Sequence, residues 1–304
     1  NGCEPIPNDP NDPNDPNDSN DHLLLPKIDI KEQQEKQVKL GRGVYGSVFK
    51  TSLINNTVVA SKRSILFTDE DGVLETHYLR ELNILKSLNH TNVIKFYGYC
   101  VNQFDHIFIH LELMDETLEQ HITSNPNIGD NIRFKYILEL LHGMQYLHSC
   151  GIIHRDLSHQ NIMIRNNQLK IIDFGMARRL STPCEKIIVH STVCCMLYRP
   201  IEILRGAKSY SFEFDVWSGG CLVYYILSGL YLFDYEPSCI PNADKMSQED
   251  RMIYIIQTYK IKRLNSYIHN FPSEIKLATK MLCDDPASRI SINDALMQFM
   301  EVSQ

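Results

Sequence analysis

The first 22 residues contain no Lys or Arg, the whole chain has a single Trp, and no two of its nine Cys are spaced as Cys-x-x-Cys. Each absence excludes something. The N-terminal stretch carries Glu4, Asp9, Asp12, Asp15, Asp18 and Asp21 with nothing to balance them. Setting those six aside leaves 31 of the 37 acidic residues against 30 Lys and Arg, so the formal charge of −7 belongs to one end. The near-neutral remainder has no basic field for nucleic acid or an anionic membrane surface, and neither partner is expected. The Cys lie at 3, 100, 150, 184, 194, 195, 221, 239 and 283. An odd count without metal-ligand spacing argues against a disulfide framework or a zinc site and fits a reduced compartment, intracellular, cytoplasmic and/or nuclear. A long apolar run is also missing. The longest, near Cys221 to Phe233, is interrupted by Ser228 and Gly229 and reads as a buried core helix rather than a membrane span. No secretory signal pattern is seen, and the sequence does not begin with Met.

What is present divides unevenly. Asn-Asp-Pro repeats at 8–10, 11–13 and 14–16, followed by Asn17-Asp18-Ser19. Such a stretch has no apolar partner to bury, so residues 1–36 are expected to be a disordered acidic tail. The rest of the 304 residues is rich enough in apolar side chains for one two-lobed domain or two ordinary ones. Order is expected to begin near Val38.

Two stretches carry chemistry. Val38-Lys39-Leu40, Gly41-Arg42-Gly43-Val44-Tyr45-Gly46 and Ser47-Val48-Phe49-Lys50 read as strand, Gly-rich turn, strand. Glycines there let backbone amides approach phosphates without side-chain clash. A helix would have to follow in a dinucleotide fold, and here a strand follows. The second stretch is residues 152–175. Asp156 follows His154-Arg155, Asn161 comes five residues later, and Asp173 heads Asp173-Phe174-Gly175. Ile162 to Ile164 and Leu169 to Ile172 flank Asn166-Asn167 and read as a hairpin. That hairpin would bring two carboxylates and an amide to one spot, as phosphoryl transfer requires. The attacking hydroxyl must lose a proton, and the phosphates need a hard cation with oxygen ligands.

His-Arg-Asp-x-x-x-x-Asn followed by Asp-Phe-Gly resembles the signature of eukaryotic-type protein kinases. The resemblance covers about residues 38–300. It implies an α+β, two-lobed kinase domain over 37–300, with a β-rich N-lobe of about 37–113 and a helical C-lobe of about 114–300. It implies ATP and Mg²⁺ as cofactors and protein Ser/Thr hydroxyls as substrates. Asp156 would orient the hydroxyl and accept its proton, Asn161 and Asp173 would hold Mg²⁺, and Lys62, aimed by Glu81, would fix the phosphates. Leu40, Gly41, Gly43, Gly46, Val48 and Ala60 would border the nucleotide. Leu111 would gate the back pocket, and the Glu112 to Met114 backbone would hold adenine. Asp215 is similar to the buried acid that ties down the catalytic loop, and Arg289 to the partner of Glu202.

Within the family the wording is most similar to the cyclin-dependent kinase branch, through residues 41–50, Asp71-Gly72-Val73 leading to Arg80-Glu81-Leu82, Tyr198-Arg199 and Asp285-Pro286 with Arg289-Ile290. By that resemblance Arg80, Arg155 and Arg178 would hold a phosphate of the activation segment, on Ser191 or Thr192. His190 stands where the branch carries its Thr. Tyr45 matches an inhibitory tyrosine, and a cyclin-like activator becomes a candidate partner. Ser158 and His159 replace the usual Lys and Pro, Cys195 a Thr that supports that Lys, and Pro200-Ile201-Glu202 the usual Ala-Pro-Glu. These departures leave a second reading open: a nucleotide-binding scaffold weakened in catalysis and acting through protein contacts.

Overall fold

The computed structural model describes residues 38–43, 46–53, 55–65, 76–102, 106–182, 185–188, 194–234 and 239–302. The Asn-Asp-Pro tail, Val44, Tyr45, Asp71 to Val73, His190, Ser191 and Thr192 lie outside the described residues. The chain divides into two compact units, residues 1–65 with 97–110, and residues 66–96 with 111–304.

The first unit is built on one sheet. Its strands are β1 (Val38–Gly43), β2 (Gly46–Ser52), β3 (Val58–Ile65), β4 (Phe96–Val101) and β5 (His106–Glu112), in the order β1-β2-β3-β5-β4. The first three form an antiparallel meander through the Gly-rich turn, as their β-branched and aromatic residues predict. Val59 and Ile109 are fully buried within it, while Val58 is exposed, the alternation of a half-buried sheet.

The second unit starts with α1 (Thr76–Ser87), which buries Glu81, Leu82 and Leu85. After β6 (Glu116–Thr117) comes α2 (Leu118–Ser124), closed at its start by a capping box between Thr117 and Gln120. In α3 (Asp130–Ser149) Tyr136, Ile137, Leu140, Leu141, Met144 and Leu147 are buried, at helical spacing. Gly151, at φ +73°, turns the chain out of α3.

Four short strands follow: β7 (Ile152–Ile153), β8 (Ile162–Arg165), β9 (Gln168–Ile171) and β10 (Arg178–Arg179). The expected hairpin is β8–β9, and its turn residues Asn166 and Asn167 both have positive φ, 50° and 55°. Asn pays least for that conformation among non-glycine residues, which is why the pair makes a two-residue turn. β6 adds to β8, and β7 pairs with β10.

β11 (Ile187–Ile188), α4 (Ile201–Leu204) and β12 (Ser209–Tyr210) lead to α5 (Glu213–Ser228), in which every residue from Phe214 to Leu227 is buried. The run near Cys221 is thus a core helix, apolar all round because other elements surround it. Among the described residues no helix is long and apolar enough to cross a membrane. The last helices are α6 (Gln248–Ser266), α7 (Pro272–Met281) and α8 (Ile292–Val302). α5 packs on α7, and α3 on α8. The approach is close at Gly220, where a Cβ would lie 2.9 Å from Leu282 Cγ and 3.0 Å from Met281 Cβ.

Candidate active site

Buried α5 is the foundation of the catalytic loop. Its Asp215, 1% exposed, accepts the backbone N–H of His154 at 2.7 Å and of Arg155 at 2.9 Å. His148, at the end of α3, adds a third contact at 3.1 Å. Burial opposes charge on Asp215, yet the hydrogen bonds and charge of His148, with help from His154, hold its carboxyl below the ordinary carboxylate range. The loop is thereby fixed at its first two residues. Arg155 takes φ +66°, a strained conformation for a side chain of its size. Its guanidinium donates to Met176 O at 2.6 Å and to the Tyr210 hydroxyl at 2.7 Å.

Asp156 follows immediately. The Asn161 side-chain amide donates to both the carbonyl and the carboxylate of Asp156, each at 2.8 Å. That uses the nitrogen end of Asn161 and leaves its carbonyl oxygen as the end that could take a metal ion. The backbone N–H of Cys195 also donates to the Asp156 carboxylate. Burial raises Asp156 above its ordinary value. His154 and the two hydrogen bonds oppose the rise, and the nearby charge of Asp173 adds to it. Asp173 has φ +60° and accepts from the Gly175 N–H at 3.3 Å. Ile172 N–H donates to Asn161 O at 3.0 Å, which ties the strand leading to Asp173 to the loop holding Asn161. The structure therefore brings Asp156, Asn161 and Asp173 together, as the hairpin spacing suggested.

Asn161 and Asp173 offer hard oxygens, the chemistry that Mg²⁺ takes. Among the described residues no group of three or more His, Cys, Asp or Glu could hold a metal ion. Two protein oxygens suit Mg²⁺ all the same, since it keeps waters and phosphate oxygens for its other positions.

In the first unit the register sets Gly41 opposite Val48 and Val48 opposite Lys62, one row across three strands. Ala60 lies two residues before Lys62, on the same face of β3. Leu40, 48% exposed, falls where the β1–β2 register shifts, and Gly43 pairs with Gly46 beside the turn. The expected nucleotide-bordering residues thus share one sheet. Glu81 is buried on α1 of the second unit, 3% exposed, and so is not a solvated surface acid.

The expected adenine segment lies in the second unit and is pinned within it. Glu112 N–H donates to Lys95 O at 2.9 Å, and its carboxylate meets Lys170 Nζ at 2.9 Å. Arg165 donates to Leu113 O. Met114 is 7% exposed.

Arg80, Arg155 and Arg178 do converge. Burial, then the charges of Arg155 and Arg80, push Arg178 down to about 9. Arg289 grips Glu202 through two bonds of 2.8 and 2.9 Å. Residues 34–300 match the family described as protein kinase domain. The chain belongs to the protein kinase family. It is also 33% identical over 283 residues to a "Putative serine/threonine-protein kinase" of Acanthamoeba polyphaga mimivirus, covering 87% of this kinase and 50% of that relative. The chain spans about half the length of the curated relative it matches.

Sequence reasoning missed several partners of this kinase site. His148 carries no local signal in the sequence and is the side chain that completes Asp215. His159 and Glu119 meet across 40 positions with no local signal. The backbone role of Cys195 is invisible to residue type altogether.

Proposed function

We propose that this kinase transfers the γ-phosphate of ATP, with Mg²⁺, to Ser or Thr hydroxyls of protein substrates, and that its preference resembles that of the cyclin-dependent branch. The observation that carries the reading is the Asp156 carboxylate. It is oriented by two hydrogen bonds, from Asn161 and Cys195, and its raised proton affinity suits a group that accepts a proton from a hydroxyl. Bound Mg²⁺ would neutralise charge on the phosphates, held by the Asn161 carbonyl and the Asp173 carboxylate. Lys62 would fix the phosphates, and Glu112 O with the Met114 backbone would hold adenine. The domain would run over 37–300, with lobes of about 37–113 and 114–300, in a protein that works inside the cell. The name of the viral relative favours Ser/Thr over Tyr.

Two further features favour the cyclin-dependent branch. Cys194 takes φ +62°, and Arg199 donates to its carbonyl at 3.0 Å. Cys195, next to it, sits on Asp156, so the residue after a phosphoacceptor would lie against this segment. Its N–H would find the Cys194 carbonyl already engaged. Proline has no N–H to leave unpaired, and such a loss costs other residues about 1–3 kcal/mol. Substrates with Ser-Pro or Thr-Pro fit best. The convergence of Arg80, Arg155 and Arg178 fits a phosphate on Ser191 or Thr192, since guanidinium forks match phosphate oxygens. A cyclin-like activator belongs to this reading.

The test is γ-phosphate transfer from Mg-ATP to a Ser/Thr-Pro protein substrate, with Asp173→Asn as the control. Transfer that disappears in the variant supports the kinase. ATP binding without transfer from the parent protein, even with an activator, would favour the scaffold reading, for which the absence of a Lys at position 158 is the specific ground.

A further inference from the structure

His159 stands where the family places a proline, and its surroundings give it work to do. It is 5% exposed. Its ring stacks on Tyr198, with centroids 5.5 Å apart, and packs against Tyr225 of α5 at 5.7 Å and Tyr231 at 4.9 Å. Nδ1 lies 2.9 Å from the Tyr198 hydroxyl, and Nε2 lies 3.4 Å from Glu119 Oε2 on α2. The other Glu119 oxygen accepts the Tyr231 O–H at 2.5 Å. One arrangement of protons satisfies all of these groups. Tyr198 O–H donates to Nδ1, which leaves the ring proton on Nε2, facing Glu119.

Spacing gives the contact its consequence. Asp156 and His159 are three apart on the catalytic loop, and Cys195 and Tyr198 are three apart on the activation segment. Cys195 N–H holds Asp156, Tyr198 holds His159, and Tyr198 N–H donates to Cys195 O at 2.9 Å. Two rungs therefore join the loop to the segment, one at the catalytic carboxylate and one at the histidine.

We propose that His159 is a positioning residue for phosphoryl transfer: with Tyr198 and Glu119 it locks the loop that carries Asp156 to the activation segment and to α2. This rests on the kinase reading above. Burial alone would be met by any apolar residue. The lock instead needs an acceptor at Nδ1 and the Tyr198 hydroxyl.

The experiment compares steady-state rates of His159→Ala, His159→Asn, His159→Pro, Tyr198→Phe and the double His159→Ala/Tyr198→Phe on Mg-ATP and a Ser/Thr-Pro peptide. Tyr198→Phe keeps the ring and removes only the hydroxyl. The lock predicts a kcat loss of about tenfold for Tyr198→Phe and for His159→Ala, with KM for ATP within about twofold, since a misplaced catalytic group costs rate rather than nucleotide binding. The double variant should be no slower than the slower single one, because both remove the same rung. His159→Asn, which keeps an acceptor near the Nδ1 position, should regain at least about threefold over His159→Ala. His159→Pro or Tyr198→Phe at the parent rate, or losses that multiply in the double variant, would overturn the lock. If His159→Ala does not fold, Tyr198→Phe and His159→Asn carry the test.

A second readout is independent of turnover: the ¹⁵N resonances of the His159 ring, assigned by their disappearance in His159→Asn. The lock requires a proton on Nε2, none on Nδ1, and an Nδ1 shift that moves in Tyr198→Phe. A proton on Nδ1 overturns it. A parent protein that transfers no phosphate overturns the kinase reading and, with it, the catalytic role of His159. The ring resonances would then still report whether the lock exists.

Discussion

Asp215 on α5 receives the backbone N–H of Arg155 at 2.9 Å, so the residue before Asp156 hangs from the most buried helix of the second unit. Asp215→Asn keeps the volume but loses the charge, and an amide cannot accept from all three donors. We expect a loss of about 2–3 kcal/mol in unfolding free energy, measured by urea titration, together with reduced turnover. The sign with pH follows from a carboxyl held low in the folded state. Its contribution is present above the ordinary carboxylate value and is lost as pH falls through the lowered one. The variant should therefore show a shallower decline in stability at strongly acid pH than the parent.

A second acid response belongs to the first unit. His110 is fully buried, hydrogen-bonded through Nδ1 to Ser61 Oγ at 2.8 Å, and among the described residues its Nε2 has no partner. Burial pushes it down to about 4. The folded chain keeps it neutral while the unfolded chain protonates it near its ordinary value of about 6.5. Stability is thus whole above that value and falls as pH drops from there towards 4, by at most roughly 1.4 kcal/mol per pH unit. His110→Leu with Ser61→Ala should flatten this window in urea midpoints taken between neutral and acid pH. An unchanged slope would show that His110 is not the source.

Gly220 tests the packing of α5. A methyl group there meets the Leu282 branch point and the Met281 Cβ, neither of which is a flexible chain end. Gly220→Ala should destabilise the protein by about 1–3 kcal/mol despite the better helix propensity of Ala, and calorimetry would read this as a lower Tm.

Asn161 has two duties, one on each end of its amide. Asn161→Ala removes the support of Asp156 and one proposed metal oxygen. Turnover should fall by about 100-fold or more, and the Mg²⁺ concentration for half-maximal rate should rise. Asn161→Asp keeps the metal oxygen but places a carboxylate beside Asp156. It should lose rate while keeping its Mg²⁺ requirement, and equal Mg²⁺ curves for Asn161→Ala and the parent would remove Asn161 from the metal site.

Much of this was legible because it is local. The Asn166-Asn167 turn announces itself in two letters and fixes which residues β8 and β9 pair. The Gly-rich meander follows from spacing alone. The convergence of Asp156, Asn161 and Asp173 needed the hairpin as well as the motif, and both were readable. What escaped was made by tertiary contact. His148 meets Asp215 across 67 positions and Ser61 meets His110 across 49, and nothing in the neighbours of either residue marks it. Strain escaped too, since Cys194 is an ordinary residue until the fold puts it at positive φ. The His159 pocket is the extreme case, for the sequence shows only the missing proline and lysine and not what replaced them.

Cys195 holds Asp156 with its amide while its side chain stands exposed to solvent. The atom that orients the catalytic base and a thiol open to reagents therefore belong to one residue. A family threonine would offer no such handle. A small electrophile that alkylates Cys195 should silence transfer stoichiometrically, and Cys195→Ser, which keeps the amide, should make the enzyme resistant.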